Sequence, residues 1–90
     1  MKVAVLYQSN SEDERAVREF VEEYRRRTGR SLEMQDVNTR DGASTATLYD
    51  IVRYPAVLVM GPDGTLVQNW QGDSLPLMNE VMYYHNSMPA

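Results

Sequence analysis

The sequence predicts an α/β domain in which a four-stranded mixed sheet carries helices on both faces. Two observations lead to this fold class. Short apolar blocks, each the length of a strand, alternate with stretches whose apolar residues recur at helical spacing. Breaks rich in glycine, proline, serine and asparagine separate these blocks and give the order β-α-β-α-β-β-α. The chain has 90 residues, which is the length of a single domain spanning 1–90.

The first strand and the first helix occupy the amino-terminal third. Residues 3–7 form a short apolar run, typical of a strand that is buried on both faces of a sheet. Ser11 and Glu14 have the spacing of a capping box, which predicts a helix over residues 12–28. The apolar stripe of this helix consists of Ala16, Val17, Phe20, Val21 and Tyr24. Gly29 is a suitable end, because glycine readily adopts the left-handed conformation found there.

A second strand and a second helix follow. Residues 32–37 alternate imperfectly between apolar and polar and predict a strand, and residues 38–42 predict a loop. Ser44 or Thr45 can cap a shorter helix. Its predicted apolar positions are Ala46, Leu48, Tyr49, Ile51 and Val52. Pro55 prevents the helix from continuing, because the residue before a proline is driven out of helical geometry.

The carboxyl-terminal third predicts a hairpin and a last helix. Residues 56–60 are the most apolar block and predict a central strand. The sequence Gly-Pro-Asp-Gly at 61–64 favours a type I turn, after which residues 65–70 return as an antiparallel partner. Ser74 can cap a final helix whose apolar positions are Leu77, Met78, Val81 and Met82. We expect residues 83–90 to be a frayed tail.

Composition argues against several classes of function. The formal net charge of −4 disfavours binding to nucleic acid, which requires clustered lysine and arginine. The basic cluster at residues 25–27 lies in the last turn of the first predicted helix, where cations complement the helix dipole. No apolar run has the ~20 residues of a membrane span, and the amino-terminal run is too short for a signal peptide. Together with the absence of cysteine, these features predict a cytoplasmic protein.

The segment 32–72 resembles the second half of thioredoxin. The resemblance rests on Asp-Val-Asn at 36–38, Leu-Tyr-Asp-Ile at 48–51, Val-Arg-Tyr-Pro at 52–55, the apolar strand at 56–60, the Gly-Pro-Asp-Gly hairpin and Trp-Gln-Gly at 70–72. With the first strand and helix it covers about the first 85 residues, and it implies a thioredoxin-like fold. In that family the proline at the position of Pro55 has a cis peptide bond. The glycine at the position of Gly72 flanks the substrate groove.

The resemblance also implies where a ligand would bind. The groove would be built from Ser9, Asn10, Ser11, Tyr54, Pro55, Trp70, Gln71 and Gly72. A cis proline would expose the main chain of Tyr54, which in the family pairs with extended peptides. The family's Cys-x-x-Cys motif, however, is replaced by Gln-Ser-Asn-Ser-Glu-Asp at residues 8–13. Thiol–disulfide exchange requires a thiolate, so this chain is expected to be a redox-inactive module that binds protein or extended peptide.

Other chemistry finds little support in the sequence. Ser9 and Ser11 lie at a helix start, but a nucleophilic serine needs a base, and the one histidine, His85, falls in the predicted tail. No spacing of acidic residues, histidine or cysteine matches a calcium or zinc site, so neither a metal nor a cofactor is predicted. Met60, Met78 and Met82 fall at predicted core positions.

Two alternatives to a peptide-binding module stay open. Glutathione transferases have a similar domain with a tyrosine or serine at the end of the first strand, so Tyr7 or Ser9 would activate the thiol in a small glutathione-binding or transferase-like domain. Tyr7 is also well suited to the core. The second alternative is a structural homo-oligomer built on an exposed sheet edge. For Trp70, the sequence leaves two positions open, one in the core and one in the groove.

Overall fold

Four strands form one mixed sheet in the order β2-β1-β3-β4. The computed structural model describes residues 2–72 and 75–86. The strands are β1 (Lys2–Tyr7), β2 (Glu33–Asp36), β3 (Ala56–Met60) and β4 (Leu66–Gln71), and the helices are α1 (Glu12–Thr28), α2 (Arg40–Leu48) and α3 (Met78–Asn86). β1 pairs with β2 in parallel and with β3 antiparallel, and β3 pairs with β4 antiparallel. The predicted fold class and element order are confirmed.

The sheet divides the interior into two cores, one on each face. β1 and β3 are the central strands, which explains why their apolar runs are buried without interruption. Successive side chains point to opposite faces. Val5 and Val57 therefore pack with α1 and α3, whereas Leu6 and Leu58 pack with α2 and the segment that follows it. Within the described residues no helix has the length and apolar character needed to cross a membrane.

The buried face of α1 is narrower than predicted. Val17, Phe20 and Tyr24 are buried and Val21 is partly buried, which matches four positions of the predicted stripe. Ala16 is exposed, contrary to the prediction. In that turn of the helix it is Val17 alone that faces the core. The predicted end of the helix is confirmed: Gly29 has a φ of 74° and its amide donates to the carbonyl oxygen of Arg25 at 2.8 Å.

The predicted capping box at the start of α1 is wrong in its first half. The Ser11 hydroxyl donates to the carbonyl oxygen of Gln8 at 2.6 Å, so it does not cap the Glu14 amide. That amide donates instead to the main-chain oxygen of Ser11 at 3.2 Å. The Glu14 carboxylate still reaches back, but to the amide of Asn10 at 3.4 Å. The Ser11 side chain makes this local bond to the main chain in place of the cap.

α2 begins four residues earlier than Ser44, in the stretch predicted to be a loop. The side chain of Thr39 is the actual cap and accepts a hydrogen bond from the Gly42 amide at 3.2 Å. The helix also ends earlier than predicted, at Leu48. As a consequence Leu48 and Val52 are each 74% exposed, so both predicted core positions are wrong. Ala46 and Ile51 are buried as predicted.

α3 extends into the segment that was predicted to fray. Residues 83–86 are helical, and Val81 is buried in the core that α3 shares with α1. The predicted cap at Ser74 and the tail at 87–90 lie outside the described residues. Leu77 precedes the helix and is 66% exposed, contrary to its predicted core position. Met60 is buried, and Met78 and Met82 pack against the core as predicted.

His85 is the residue that ties the end of α3 to α1. Its Nδ1 is hydrogen-bonded to the hydroxyl of Tyr24, the two rings lie 5.6 Å apart, and its carbonyl oxygen accepts from the Arg30 guanidinium at 3.1 Å. The prediction of a solvated tail residue is therefore wrong. Burial and the nearby Arg30 charge lower the pKa of His85, while burial raises the pKa of Tyr24.

We expect this contact to make stability depend on pH. A histidine whose pKa is lowered by folding disfavours its protonated form in the folded state, so stability is lost as pH falls below the unfolded pKa of about 6.5. The free energy of unfolding should therefore fall between about pH 7.5 and about pH 5 more steeply in the parent chain than in His85→Gln. Urea denaturation of both proteins at each pH gives the difference between their free energies of unfolding. The titration of the carboxylates contributes equally to both proteins and cancels in this difference. Parallel curves would contradict the expectation.

Candidate functional site

Four loops meet the sheet at the same end. Leu6 is aligned with Ala56, and Ala56 with Gln71, so the end of β1, the start of β3 and the end of β4 lie side by side. Beyond this row the amide of Gly72 donates to the carbonyl oxygen of Pro55 at 3.3 Å. β2 ends there as well, because Tyr7 is aligned with Asp36. We call this region the sheet-end site.

The junction between β1 and α1 is held by residues that follow β2. The amide of Ser9 donates to Asp36 Oδ1 at 3.2 Å, and the side-chain amide of Asn38 donates to Ser9 Oγ at 2.9 Å. Hydrogen bonds from Asn38 and Ser9 hold the pKa of the Asp36 carboxyl below its usual value. Asn10 adopts a left-handed conformation with a φ of 61°. The junction is thus built on an ionised aspartate that joins two loops.

Neither serine of the junction is arranged as a nucleophile. The Ser9 hydroxyl accepts from Asn38, and the Ser11 hydroxyl donates to a main-chain carbonyl. His85 is engaged with Tyr24 on α1. Within residues 2–72 and 75–86, no group of three histidine, cysteine, aspartate or glutamate side chains could hold a metal ion.

The turn before β3 presents main chain. The Tyr54–Pro55 peptide bond is cis, and Pro55 is buried. The Tyr54 hydroxyl donates to the carbonyl oxygen of Ile51 at 3.3 Å, which anchors a half-buried ring. Neither the amide nor the carbonyl of Tyr54 has a hydrogen-bond partner within the part of the chain that the structure describes. An unpaired donor and acceptor at a sheet end can pair with another chain.

The end of β4 closes the other side of that turn. The amide of Val52 donates to Gln71 Oε1 at 3.3 Å, which connects the two segments. Gly72 has a φ of 118°, and a Cβ there would lie 2.9 Å from the Arg53 guanidinium. The positive φ is what requires glycine here, since the flexible Arg53 side chain can move away from an added Cβ. The sequence did not predict a role for Arg53, because no local pattern indicates that this exposed arginine lies next to a glycine 19 residues later in the chain.

A cavity of about 460 Å³ opens beside this turn, on the α2 face of the sheet. Its lining includes Gln8 and Tyr54 from the loops already described, and the buried Ala46 and Ile51. The remaining lining residues are Val37, Asn38, Ala43, Thr47, Asp50 and Val52. Apart from Tyr54 none of the cavity-lining residues was predicted as a site residue, since most are polar or small and they come from α2 and from separate loops.

Trp70 lies elsewhere. Its side chain packs against the core shared by α1 and α3, whereas Tyr54 packs against the core on the α2 face. The Trp70 ring meets the Tyr84 ring edge-on, with centroids 5.8 Å apart. The strand register explains this, because Trp70 is aligned with Val57, which faces α1. The structure therefore brings together Ser9, Asn10, Ser11, Tyr54, Pro55, Gln71 and Gly72 at one sheet end, and it places Trp70 on the opposite face.

Tyr7 is 8% exposed and belongs to the core beneath α1 and α3. Its role in the structure is packing.

The geometry defines a thioredoxin-like fold. Thioredoxin 1 from the thermophilic eubacterium Thermosipho africanus is similar in structure, with a TM-score of 0.67 over 97% of this chain and 92% of that chain. The sequence identity is 13%, so the similarity establishes the fold alone. The sequence matches no protein-family model, and no curated protein is similar to it at a significant level.

Proposed function

We propose that this chain is a redox-inactive, thioredoxin-like module that binds an extended peptide segment of a protein at the sheet-end site. The observation that carries the proposal is the unpaired main chain of Tyr54 beside an open cavity. A peptide in extended conformation can pair with the unpaired amide and carbonyl of Tyr54 and place alternate side chains on either side of them. Each main-chain hydrogen bond would contribute about 0.5–1.5 kcal/mol.

The chemistry of the site supports binding over catalysis. The chain contains no cysteine, so it has no thiolate for exchange with a disulfide. At the junction where the family has its Cys-x-x-Cys motif, the Ser9 hydroxyl is hydrogen-bonded to Asn38 and the Ser11 hydroxyl to the Gln8 carbonyl. What the site offers is a directional main-chain edge, an apolar floor at Ala46 and Ile51, and a polar rim. These are properties of a recognition surface.

Exposed apolar side chains next to the cavity add to this surface. Val52 is 74% exposed and lines the cavity, and Leu48 is exposed to the same extent at the end of α2. A partner residue that covers them would remove apolar surface from water, which is favourable at about 25 cal/mol per Å². We therefore infer that the bound segment carries at least one apolar side chain directed at α2.

Two alternative functions differ in where a ligand would act. A glutathione-binding domain would use Tyr7 or Ser9, and of the two only Tyr7 is buried in the core. A structural homo-oligomer would use a sheet edge, and β4 is an edge strand without a charged residue. Both alternatives predict responses that are different from those of a peptide-binding module.

We expect a random-sequence library of short peptides to shift the backbone NMR signals of Gln8–Ser11, Tyr54 and Gln71–Gly72. Val52→Asp should weaken these shifts, because it places a charge at the exposed rim without disturbing the core. Val67→Asp is the matched control: Val67 is also an exposed valine, 49% accessible, but it lies on β4 away from the cavity.

Other outcomes would favour a different function. Shifts produced by glutathione and centred on Tyr7 and Ser9 would support the glutathione-binding alternative. Shifts along β4 that grow with protein concentration and vanish in Val67→Asp would support the homo-oligomer. Shifts confined to the charged residues of α1 would contradict all three, since exposed ion pairs on a flat helix surface provide no recognition site.

A further inference from the structure

A cluster of aromatic rings lies between β4 and α3, on the face opposite to the sheet-end cavity. The Trp70 and Tyr84 rings meet at 73° with centroids 5.8 Å apart, and the Tyr83 and Tyr84 rings meet at 89° with centroids 5.1 Å apart. All three rings line an open cavity of about 350 Å³. Rings that meet at near right angles have their faces turned in different directions, so a group bound in this cavity can contact more than one aromatic side chain.

The polar groups of this cavity are acidic or neutral. Its other lining residues are Gln68, Asn79 and Glu80. The Gln68 side-chain amide donates to the Tyr84 hydroxyl at 3.1 Å, which fixes the orientation of that ring. Glu80 is exposed and forms no ion pair with any residue that the structure describes. The cavity thus has a carboxylate at its rim, and among the residues that the structure describes no lysine or arginine lines it.

We propose that this cavity binds a quaternary ammonium group, with the aromatic rings contacting its methyl groups and Glu80 balancing its charge. The faces of tryptophan and tyrosine rings carry negative electrostatic potential and attract cations placed over them. The Glu80 carboxylate and the net charge of −4 favour the same sign of ligand. The inference is independent of the sheet-end site, because Trp70 and Tyr54 lie on opposite faces of the sheet.

An alkylated ammonium fits this lining better than the primary ammonium of lysine. A primary ammonium is strongly hydrated and brings three hydrogen-bond donors that aromatic faces cannot satisfy. A trimethylammonium group has no donor and leaves water at lower cost, while its methyl groups pack on the rings. A choline-like small molecule and a trimethyllysine side chain both carry this group.

The test uses the fluorescence of Trp70, which is the only tryptophan of the chain. The full chain is titrated with choline chloride and, separately, with 3,3-dimethyl-1-butanol, its uncharged isostere, at constant ionic strength. We expect a saturable change with choline in the millimolar range or below, and affinity for the alcohol lower by about 5-fold or more. Equal responses to the two compounds, or no saturable response to choline, would overturn the proposal.

Variants assign the response to the cavity. Glu80→Gln and Tyr83→Leu change exposed lining residues and keep the tryptophan as reporter, and each should weaken choline binding by about 3-fold or more. Glu12→Gln makes the same change of charge at an exposed position of α1 and should leave binding unchanged. Equal affinity in Glu80→Gln, Tyr83→Leu and Glu12→Gln would overturn the assignment.

A second titration distinguishes the sources of the ammonium group. A short peptide carrying one trimethyllysine is compared with the same peptide carrying lysine. Tighter binding of the trimethylated peptide than of choline would identify a methylated protein as the ligand, and choline binding at least as tightly would identify a small molecule. A preference for the unmodified peptide would contradict the proposal.

Discussion

Replacing Phe20 by alanine should lower the free energy of unfolding by about 3–5 kcal/mol, the cost of deleting a buried phenylalanine. Phe20 is 9% exposed in the core beneath α1, and its ring stacks on that of Tyr24 with centroids 6.4 Å apart. A domain of this size has a total stability of only about 5–15 kcal/mol, so the variant should lose a large part of it. Urea denaturation followed by circular dichroism measures the loss.

Two further variants keep this prediction testable. Arg15→Ala removes a side chain that is 88% exposed on the same helix, with one surface ion pair, and should cost no more than about 1 kcal/mol. Phe20→Leu retains most of the buried volume and should remain folded if Phe20→Ala does not. A loss below about 1 kcal/mol in Phe20→Ala would mean that the buried face of α1 has been misassigned.

The two central strands could be predicted because they are buried on both faces. β1 and β3 consist almost entirely of apolar residues, and a run of that length and composition has few other uses in a small domain. The hairpin between β3 and β4 was equally predictable. The Gly64 amide donates to the Gly61 carbonyl oxygen at 2.9 Å, and Gly64 has a φ of 84°. These features depend on local chemistry, which the sequence contains directly.

The errors in the helices come from contacts between distant residues. The predicted tail at residues 83–90 has little apolar pattern, yet its first four residues are helical. A contact that holds them joins His85 to Tyr24, 61 positions away, and no local pattern reveals it. The start of α2 was missed for a related reason. Glycine in a sequence predicts the end of a helix, but Gly42 lies inside α2 because the main chain of Asp36 and Val37 leaves no room for a side chain there.

The sheet-end site could be predicted only in part. Tyr54, Pro55, Gln71 and Gly72 follow from a resemblance in the loops around two strands, and the register places them together. The cavity beside them depends on where α2 lies, and α2 was misplaced. Trp70 had to face one side of the sheet or the other. Only the alignment with Val57 decides between them, and a shift of one residue would reverse the outcome.

Replacing Gly42 by alanine should destabilise the protein, although alanine is the better helix former. In an exposed helix interior this change stabilises by about 0.8–1 kcal/mol. Here the added Cβ would lie 2.0 Å from the carbonyl oxygen of Asp36 and 2.9 Å from the amide nitrogen of Val37. Both are main-chain atoms that no rotamer change can move. α2 would have to shift away from the end of β2, and such overpacking typically costs about 1–3 kcal/mol.

The sign of the effect is the test. Ser44→Ala changes an exposed residue of the same helix and should stay within about 0.5 kcal/mol of the parent chain in urea denaturation. Because α2 lines the sheet-end cavity, the NMR signals of Ala46 and Thr47 should move in Gly42→Ala and stay in place in Ser44→Ala. A Gly42→Ala protein as stable as the parent, or more stable, would mean that α2 does not approach Asp36 this closely. A Gly42→Ala protein that is less stable and shows shifted Ala46 and Thr47 signals would confirm the close approach of α2 to Asp36. Helix propensity alone would have made this variant more stable.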